Sequence, residues 1–185
     1  MGLFDSQADS APGDLAGRLA TVEDSHMEKR RLPDSTKVSL LLQSLDYAFD
    51  RPGWQGPNLA RSVRGVSAQR AAQSTGGRRS IWEQILHAAY WKQRVINLLI
   101  GTQPFPRKGS NWPRLPPEKN ERNWKADVKL LHEIHVKLRA AVAGIDPKKL
   151  NGKTTRLILG AAAHDVYHTG QIRLLRRMVG LARKK

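Results

Sequence analysis

Four segments of the chain carry apolar residues at the spacing of an α-helix, and strand patterns are nearly absent. An amphipathic segment must bury its apolar stripe against another element, so each segment needs a partner. The segments run from about Ser35 to Phe49, Ser80 to Gly101, Glu121 to Val142, and Thr154 or Thr155 to about Leu181. Helices of this number and length predict an all-α four-helix bundle.

The second segment has the clearest helix start. Ser80-Ile-Trp-Glu83 fits a capping box, in which the serine hydroxyl and the glutamate carboxylate each satisfy a free backbone N–H. About thirty residues separate the first two segments, which is too long for a simple hairpin loop. We therefore expect a long crossover between these two helices, with a short extra helix within residues 67–74.

Composition limits what the remaining chain can be. The 185 residues suffice for one domain, and the absence of cysteine excludes disulfides, thiolate metal sites and iron–sulfur clusters. Residues 1–33 are polar with little periodicity, and we predict a flexible or loosely docked N-terminal extension before a bundle over 34–185. No window approaches the roughly 20 apolar residues of a membrane span. We expect no membrane association and a cytoplasmic location.

Positive charge is concentrated in the second part of the chain. The formal net charge is +16, and residues 107–185 contribute +13 of it. Six basic residues lie near the end of the last helix: Arg173, Arg176, Arg177, Arg183, Lys184 and Lys185. This surface predicts weak, non-specific attraction to nucleic acid, or a nucleic-acid-binding or stress-response module. The alternative is a solvated basic surface without a partner.

Two histidines mark the last helix as the most informative segment. His164 and His168 are one helical turn apart and project from one face, which continues the apolar stripe from Leu157 and Ala161 and leads to Leu175. Burying two imidazoles costs solvation free energy, and a shared metal ion would satisfy both. The alternatives are that one of them is exposed or that both are hydrogen-bonded core residues.

A third histidine, His87, lies in the second helix and can reach the same site from a neighbouring element. Three imidazoles from two helices leave an ion with a position open for water or a thiol, and zinc and nickel both suit such ligands. Asp165 points about a quarter-turn away from His164, so we expect it at the helix surface or beside the ion without binding it. Tyr167 is a candidate to orient a substrate, or a boundary aromatic, and Gln171 is a candidate hydrogen-bond donor near the ion.

The remaining histidines are weaker candidates. His132 and His135 are three residues apart on the third helix, and we favour a packed or hydrogen-bonded His135 over a metal ligand. His26 lies in the extension, where we expect it to be solvated.

Three stretches resemble the DinB/YfiT-like superfamily of bacterial metal-binding four-helix bundles. They are Leu45-Asp-Tyr-Ala-Phe49 with Trp54-Gln-Gly-Pro57, Ser80-Ile-Trp-Glu83 with His87, and His164-Asp-Val-Tyr-His168-Thr-Gly-Gln171-Ile-Arg-Leu-Leu. In that family, one histidine of the second helix and two of the last helix hold the metal, which implies His87, His164 and His168 here. The resemblance also implies a homodimer.

The resemblance implies a range of activities and not one reaction. Some members are thiol-dependent S-transferases or isomerases that use bacterial low-molecular-weight thiols. We therefore expect a metal-dependent transferase or hydrolase acting on a small molecule, with such a thiol as a candidate co-substrate. The alternatives are the nucleic-acid module and a metal-stabilised structural or dimerisation protein without catalysis.

Overall fold

The computed structural model describes residues 34–180, and within this range the regular secondary structure is helical, without strands. The helices are α1 (Asp34–Phe49), α2 (Leu59–Ser62), α3 (Ala68–Ala71), α4 (Ile81–Ile100), α5 (Glu121–Ala143) and α6 (Gly152–Met178), with a 3₁₀ turn at Pro147–Lys149 before α6. The predicted all-α class is confirmed. The extension predicted over residues 1–33, with His26, lies outside the described residues.

The four long helices pack around one hydrophobic core. α4 and α1 each contact both α5 and α6. The largest apolar side chains of the core are fully buried: Leu45, Phe49, Leu59, Ile81, Trp82, Ile85, Leu86, Leu131, Ile134, Leu138 and Ile158. None of the helices between residues 34 and 180 is long and apolar enough to cross a membrane.

The predicted capping box is present at the start of α4. The Ser80 hydroxyl accepts from the Glu83 backbone N–H, and the Glu83 carboxylate accepts from the Ser80 backbone N–H. The crossover between α1 and α4 contains the predicted extra helix as α3, which Ser67 caps. It also contains a second short helix, α2, which the sequence did not predict.

The loop between α4 and α5 is tied to the core by one ion pair. Arg107 donates from Nε to Oδ1 of Asp127 at 2.9 Å, and a second guanidinium nitrogen contacts the same oxygen. The other oxygen of this fully buried carboxylate accepts from Trp82 Nε1 at 2.8 Å. The ion pair therefore ties the loop to α5, and the Trp82 hydrogen bond joins the same carboxylate to α4.

The inward face of α6 differs from the predicted stripe. Leu157 and His164 were expected on this inward face, but both are half-buried, whereas Ile158 and Asp165 are fully buried. The stripe is therefore rotated toward Asp165. A carboxylate can occupy this position because Lys92 of α4 forms an ion pair with it inside the core.

Candidate metal centre

Three histidines from two helices converge on one point. His87 of α4 and His164 and His168 of α6 each offer a ring nitrogen, and these nitrogens lie within 4.8 Å of one another. Nε2 of His164 is 3.2 Å from Nε2 of His87 and 3.0 Å from Nε2 of His168. His87 and His168 are buried and His164 is half-buried. We call these residues the histidine cluster.

The outer nitrogens of two of these rings are fixed by carbonyl oxygens. His87 Nδ1 lies 2.6 Å from the backbone oxygen of Asn111, and His168 Nδ1 lies 2.6 Å from Oε1 of Gln84. A carbonyl oxygen only accepts hydrogen bonds, so each Nδ1 carries the hydrogen. Each Nε2 is then left with a free lone pair directed into the cluster, which is the arrangement that second-sphere partners give to metal-binding imidazoles.

The α4–α5 loop supplies one wall of the cluster. Asn111 has a φ of 52°, a left-handed conformation that asparagine tolerates better than most residues. In this conformation Asn111 makes two contacts with α4. Its backbone oxygen accepts from His87 Nδ1, and its Oδ1 accepts from Trp91 Nε1 at 2.9 Å. The Trp112 ring stacks on His87 with a centroid distance of 3.9 Å, and the Arg79 guanidinium lies over Trp112.

Electrostatics keep the cluster neutral. Burial, followed by the neighbouring imidazoles, lowers the pKa of His168 to about 3 and that of His164 to about 4. Burial also lowers the pKa of His87, against the hydrogen bond to Asn111. Neutral imidazole is the form that binds metals. Three lone pairs around one point repel one another unless a cation lies between them, and the all-nitrogen donor set fits zinc or nickel.

The residues predicted to surround the cluster occupy different environments. Tyr167 is 61% exposed, with its ring edge-on to that of His168. Gln171 is half-buried, and the glutamine that bonds to a ring of the histidine cluster is Gln84, which accepts from His168 Nδ1. Asp165 is fully buried and accepts from Lys92 Nζ through Oδ2. The expectation that Asp165 lies at the helix surface or beside the ion is corrected: its carboxylate is part of the core.

Three neighbours of the cluster were not predicted from the sequence: Gln84, Asn111 and Trp112. Gln84 had a signal, since it precedes His87 by three residues and so lies on the same face of α4. Asn111 and Trp112 had none, because their place depends on how the twenty-residue proline-rich loop at 101–120 folds back over α4.

His132 and His135 lie outside the histidine cluster. The His135 ring stacks on Phe49 with a centroid distance of 3.8 Å, as expected for a packed histidine, and His132 contacts the edge of the same ring. Lys92 Nζ lies 3.4 Å from His135 Nδ1. Nε2 of His135 has no hydrogen-bond partner among residues 34–180.

We expect His135 to make the metal-free protein sensitive to acid. Burial, followed by the charge of Lys92, lowers its pKa from 6.5 to about 3, with smaller contributions from His132 and Arg139, while Asp46 Oδ1 lies 4.0 Å from its Nε2. As the pH falls below 6.5, His135 is protonated in the unfolded chain but stays neutral in the folded chain. The free energy of unfolding therefore decreases between pH 6.5 and 3.

The loss attributable to His135 is about 2 kcal/mol near pH 5. Urea unfolding between pH 7 and 5, with chelator present, should show a shallower fall for His135→Leu than for the wild type. Parallel losses in the two proteins would contradict the assignment.

A cleft of about 980 Å³ opens between α4 and α6 beside the histidine cluster. His164 lies at one end of its wall, with Trp91 across from it on α4. The half-buried imidazole is thus accessible to small molecules from this side. We call this space the α4–α6 cleft.

The basic surface predicted at the end of the last helix is described only in part. Arg176 donates to the backbone oxygens of Ser62 and Arg64, so its charge holds α6 to the crossover. Arg173 is half-buried and Arg177 exposed, and the basic residues at 183–185 lie outside the described range. Attraction to nucleic acid therefore stays a prediction.

Three convergent imidazoles, two of them held in place by hydrogen bonds, make this helical protein a candidate metal-binding protein. Comparison with family models matches residues 7–172 to the DinB superfamily, and this range contains all three histidines. The chain belongs to the DinB superfamily. Neither the curated proteins nor the solved structures provide a match.

Proposed function

We propose that the protein binds one divalent ion, zinc or nickel, through His87, His164 and His168. The observation that carries the proposal is the convergence of three Nε2 atoms at 3.0 and 3.2 Å, two of them on rings whose Nδ1 is held by a carbonyl oxygen. Such pre-orientation has no evident purpose for core histidines, which need only a hydrogen-bond partner.

We propose further that the protein is a metal-dependent transferase or hydrolase that uses a thiol or water. A divalent ion in this position supplies a Lewis acid and lowers the pKa of a thiol or water beside it. Among residues 34–180 no carboxylate joins the cluster, because Asp165 turns toward Lys92. The α4–α6 cleft reaches His164. An incomplete ligand set next to an open cleft favours an enzyme over a metal-stabilised structural protein.

The direct test is the metal content of protein purified without an affinity tag or added metal, measured by mass spectrometry. We expect about one zinc or nickel per chain. Chelator-stripped and reloaded protein is then assayed for thiol transfer to a panel of electrophiles and for hydrolysis. Failure of the stripped protein to take up either metal would refute the site, and a loaded protein inactive in both assays would point to the structural alternative.

Gln84 should tune the affinity of the site. Gln84→Leu removes the acceptor that orients His168, and loss of such a partner lowers metal affinity by about 10–100-fold. Gln171→Leu is the matched control, because it removes the same side chain from the next turn of α6 without removing that hydrogen bond. Competition titrations with a zinc chelator measure both affinities. A larger effect of Gln171→Leu would contradict the assignment of Gln84.

The homodimer implied by the family resemblance is also part of the proposal. Light scattering on the metal-loaded and stripped full chain would give the mass of the assembly and show whether it depends on the ion.

A further inference from the structure

We propose that the α4–α6 cleft binds an amphiphilic anion, whose apolar chain lies along the cleft and whose anionic group lies at the end remote from the histidine cluster. As a statement about the substrate, this rests on the proposed function. As a statement about binding, it does not require the metal.

The cleft has the shape of an elongated site that starts at the histidine cluster. α4 and α6 are antiparallel where they line it, since His87 meets His168 at one end and Leu99 lines the wall with Thr154 at the other. The eleven residues from His164 back to Lys153 correspond to about 16 Å of helix. With a volume of about 980 Å³, the cleft is as large as sites that hold small organic ligands.

The walls of the cleft are apolar and in contact with solvent. Val95, Leu98, Leu99 and Leu157 line it behind Trp91. Leu98 is 66% exposed and Trp91 is 42% exposed. A ligand that covers these apolar side chains removes their surface from water, and this burial makes the free energy of binding more favourable.

The far end of the cleft is positively charged. Lys153 and Arg156 line this end and are exposed, and the lining contains no carboxylate among residues 34–180. Neither side chain makes an ion pair or hydrogen bond with another described residue, whereas the third basic residue of the lining, Lys92, is paired with Asp165. The first turn of α6 has no acidic residue, so the positive end of the helix dipole adds to these charges.

Gly160 keeps the floor of the cleft open. It lies in the interior of α6, one turn before His164, where glycine weakens a helix relative to alanine. Its φ is not positive, and a Cβ built at this position meets no atom within 4 Å. Neither backbone conformation nor internal packing requires this glycine. Its absent side chain instead leaves space in the cleft, which a ligand can use.

The test is a titration of the full chain with decanoate, followed by tryptophan fluorescence and calorimetry, in metal-stripped and zinc-loaded forms. We expect saturable binding in both forms, and about tenfold or greater weakening for decanol or butyrate, which lack the charge or the chain. Equal binding of decanol, or no binding of decanoate, would overturn the proposal.

Four variants locate the ligand. The double variant Lys153→Gln/Arg156→Gln should lower the affinity for decanoate about tenfold or more. The control Arg122→Gln/Lys125→Gln, on the exposed surface of α5, should leave this affinity unchanged. Gly160→Phe should abolish binding by filling the cleft, and Gly160→Ala should preserve it. Unchanged affinity in Gly160→Phe would overturn the proposal, as would binding that depends on zinc but not on Lys153 and Arg156. Metal content is measured on the same samples, so that absence of decanoate binding in the cleft is distinguished from absence of metal binding by the histidine cluster.

Discussion

Replacing His164 with alanine is expected to reduce the metal content from about one ion per chain to nearly none. His164 is central in the cluster, because its Nε2 is the atom that lies within hydrogen-bonding distance of both other Nε2 atoms. Without it, two imidazoles remain to hold the ion. Loss of a direct ligand should exceed the roughly 10–100-fold cost of losing an outer partner.

His132→Ala is the matched control for this experiment. It also removes a partly buried imidazole, but His132 lies against Phe49, outside the cluster, so the ion should stay. Both variants and the wild type are purified without added metal and measured by mass spectrometry. Equal metal content in wild type and His164→Ala would exclude the proposed ligand set.

Thermal unfolding supplies a second readout of the same variants. An ion bound only by the folded state stabilises it, by about 2.7 kcal/mol when the free ion is at 100 times its Kd. Chelator should therefore lower the Tm of the wild type and of His132→Ala but leave that of His164→Ala unchanged. A chelator effect that persists in His164→Ala would place the ion elsewhere.

Local patterns in the sequence predicted the features that depend on neighbouring residues. Ser80 and Glu83 predicted the start of α4, because a capping box is closed within one helical turn. His164 and His168 were paired by their spacing alone, and the structure brings His87 to them from α4. The family resemblance selected the same three residues.

Features that depend on how two helices meet could not be predicted in this way. Asp165 was expected at the helix surface or beside the ion because it points about a quarter-turn away from His164. Its partner Lys92 lies seventy-three residues earlier in the chain. Nothing in the local sequence of α6 indicates that pairing. The same reasoning explains why the predicted stripe passed through Leu157 rather than Ile158.

Loops set a second limit on prediction. The His87 ring is oriented by the backbone oxygen of Asn111, and every residue offers an equivalent backbone oxygen. The choice of Asn111 follows from the position of the loop, to which the Arg107–Asp127 ion pair and the hydrogen bond from Trp91 to Asn111 contribute. A hydrogen bond to a backbone oxygen does not depend on the residue type, so the sequence does not indicate it and only the structure does.

Lys92→Met is expected to be the most destabilising single change beside the metal centre. Lys92 and Asp165 are both almost inaccessible to water, and Asp165 Oδ1 already lacks a hydrogen-bond partner among residues 34–180. Removing the cation leaves a buried carboxylate without its counter-charge, and breaking a buried pair in this way costs about 3–5 kcal/mol. The variant also removes the ammonium group next to His135 Nδ1.

The double variant Lys92→Met/Asp165→Leu separates the charge effect from packing. Replacing both members of a buried pair with apolar residues is often neutral or stabilising, so the double variant should regain most of the lost stability. Lys129→Met is the control for the substitution itself: it breaks the exposed Lys129–Glu133 pair and should leave the free energy of unfolding nearly unchanged. Urea unfolding of the four proteins at pH 7, with chelator present, gives the coupling energy. If the double variant is as unstable as Lys92→Met, the loss comes from the volume and shape of the lysine side chain, and the ion pair contributes little to the core.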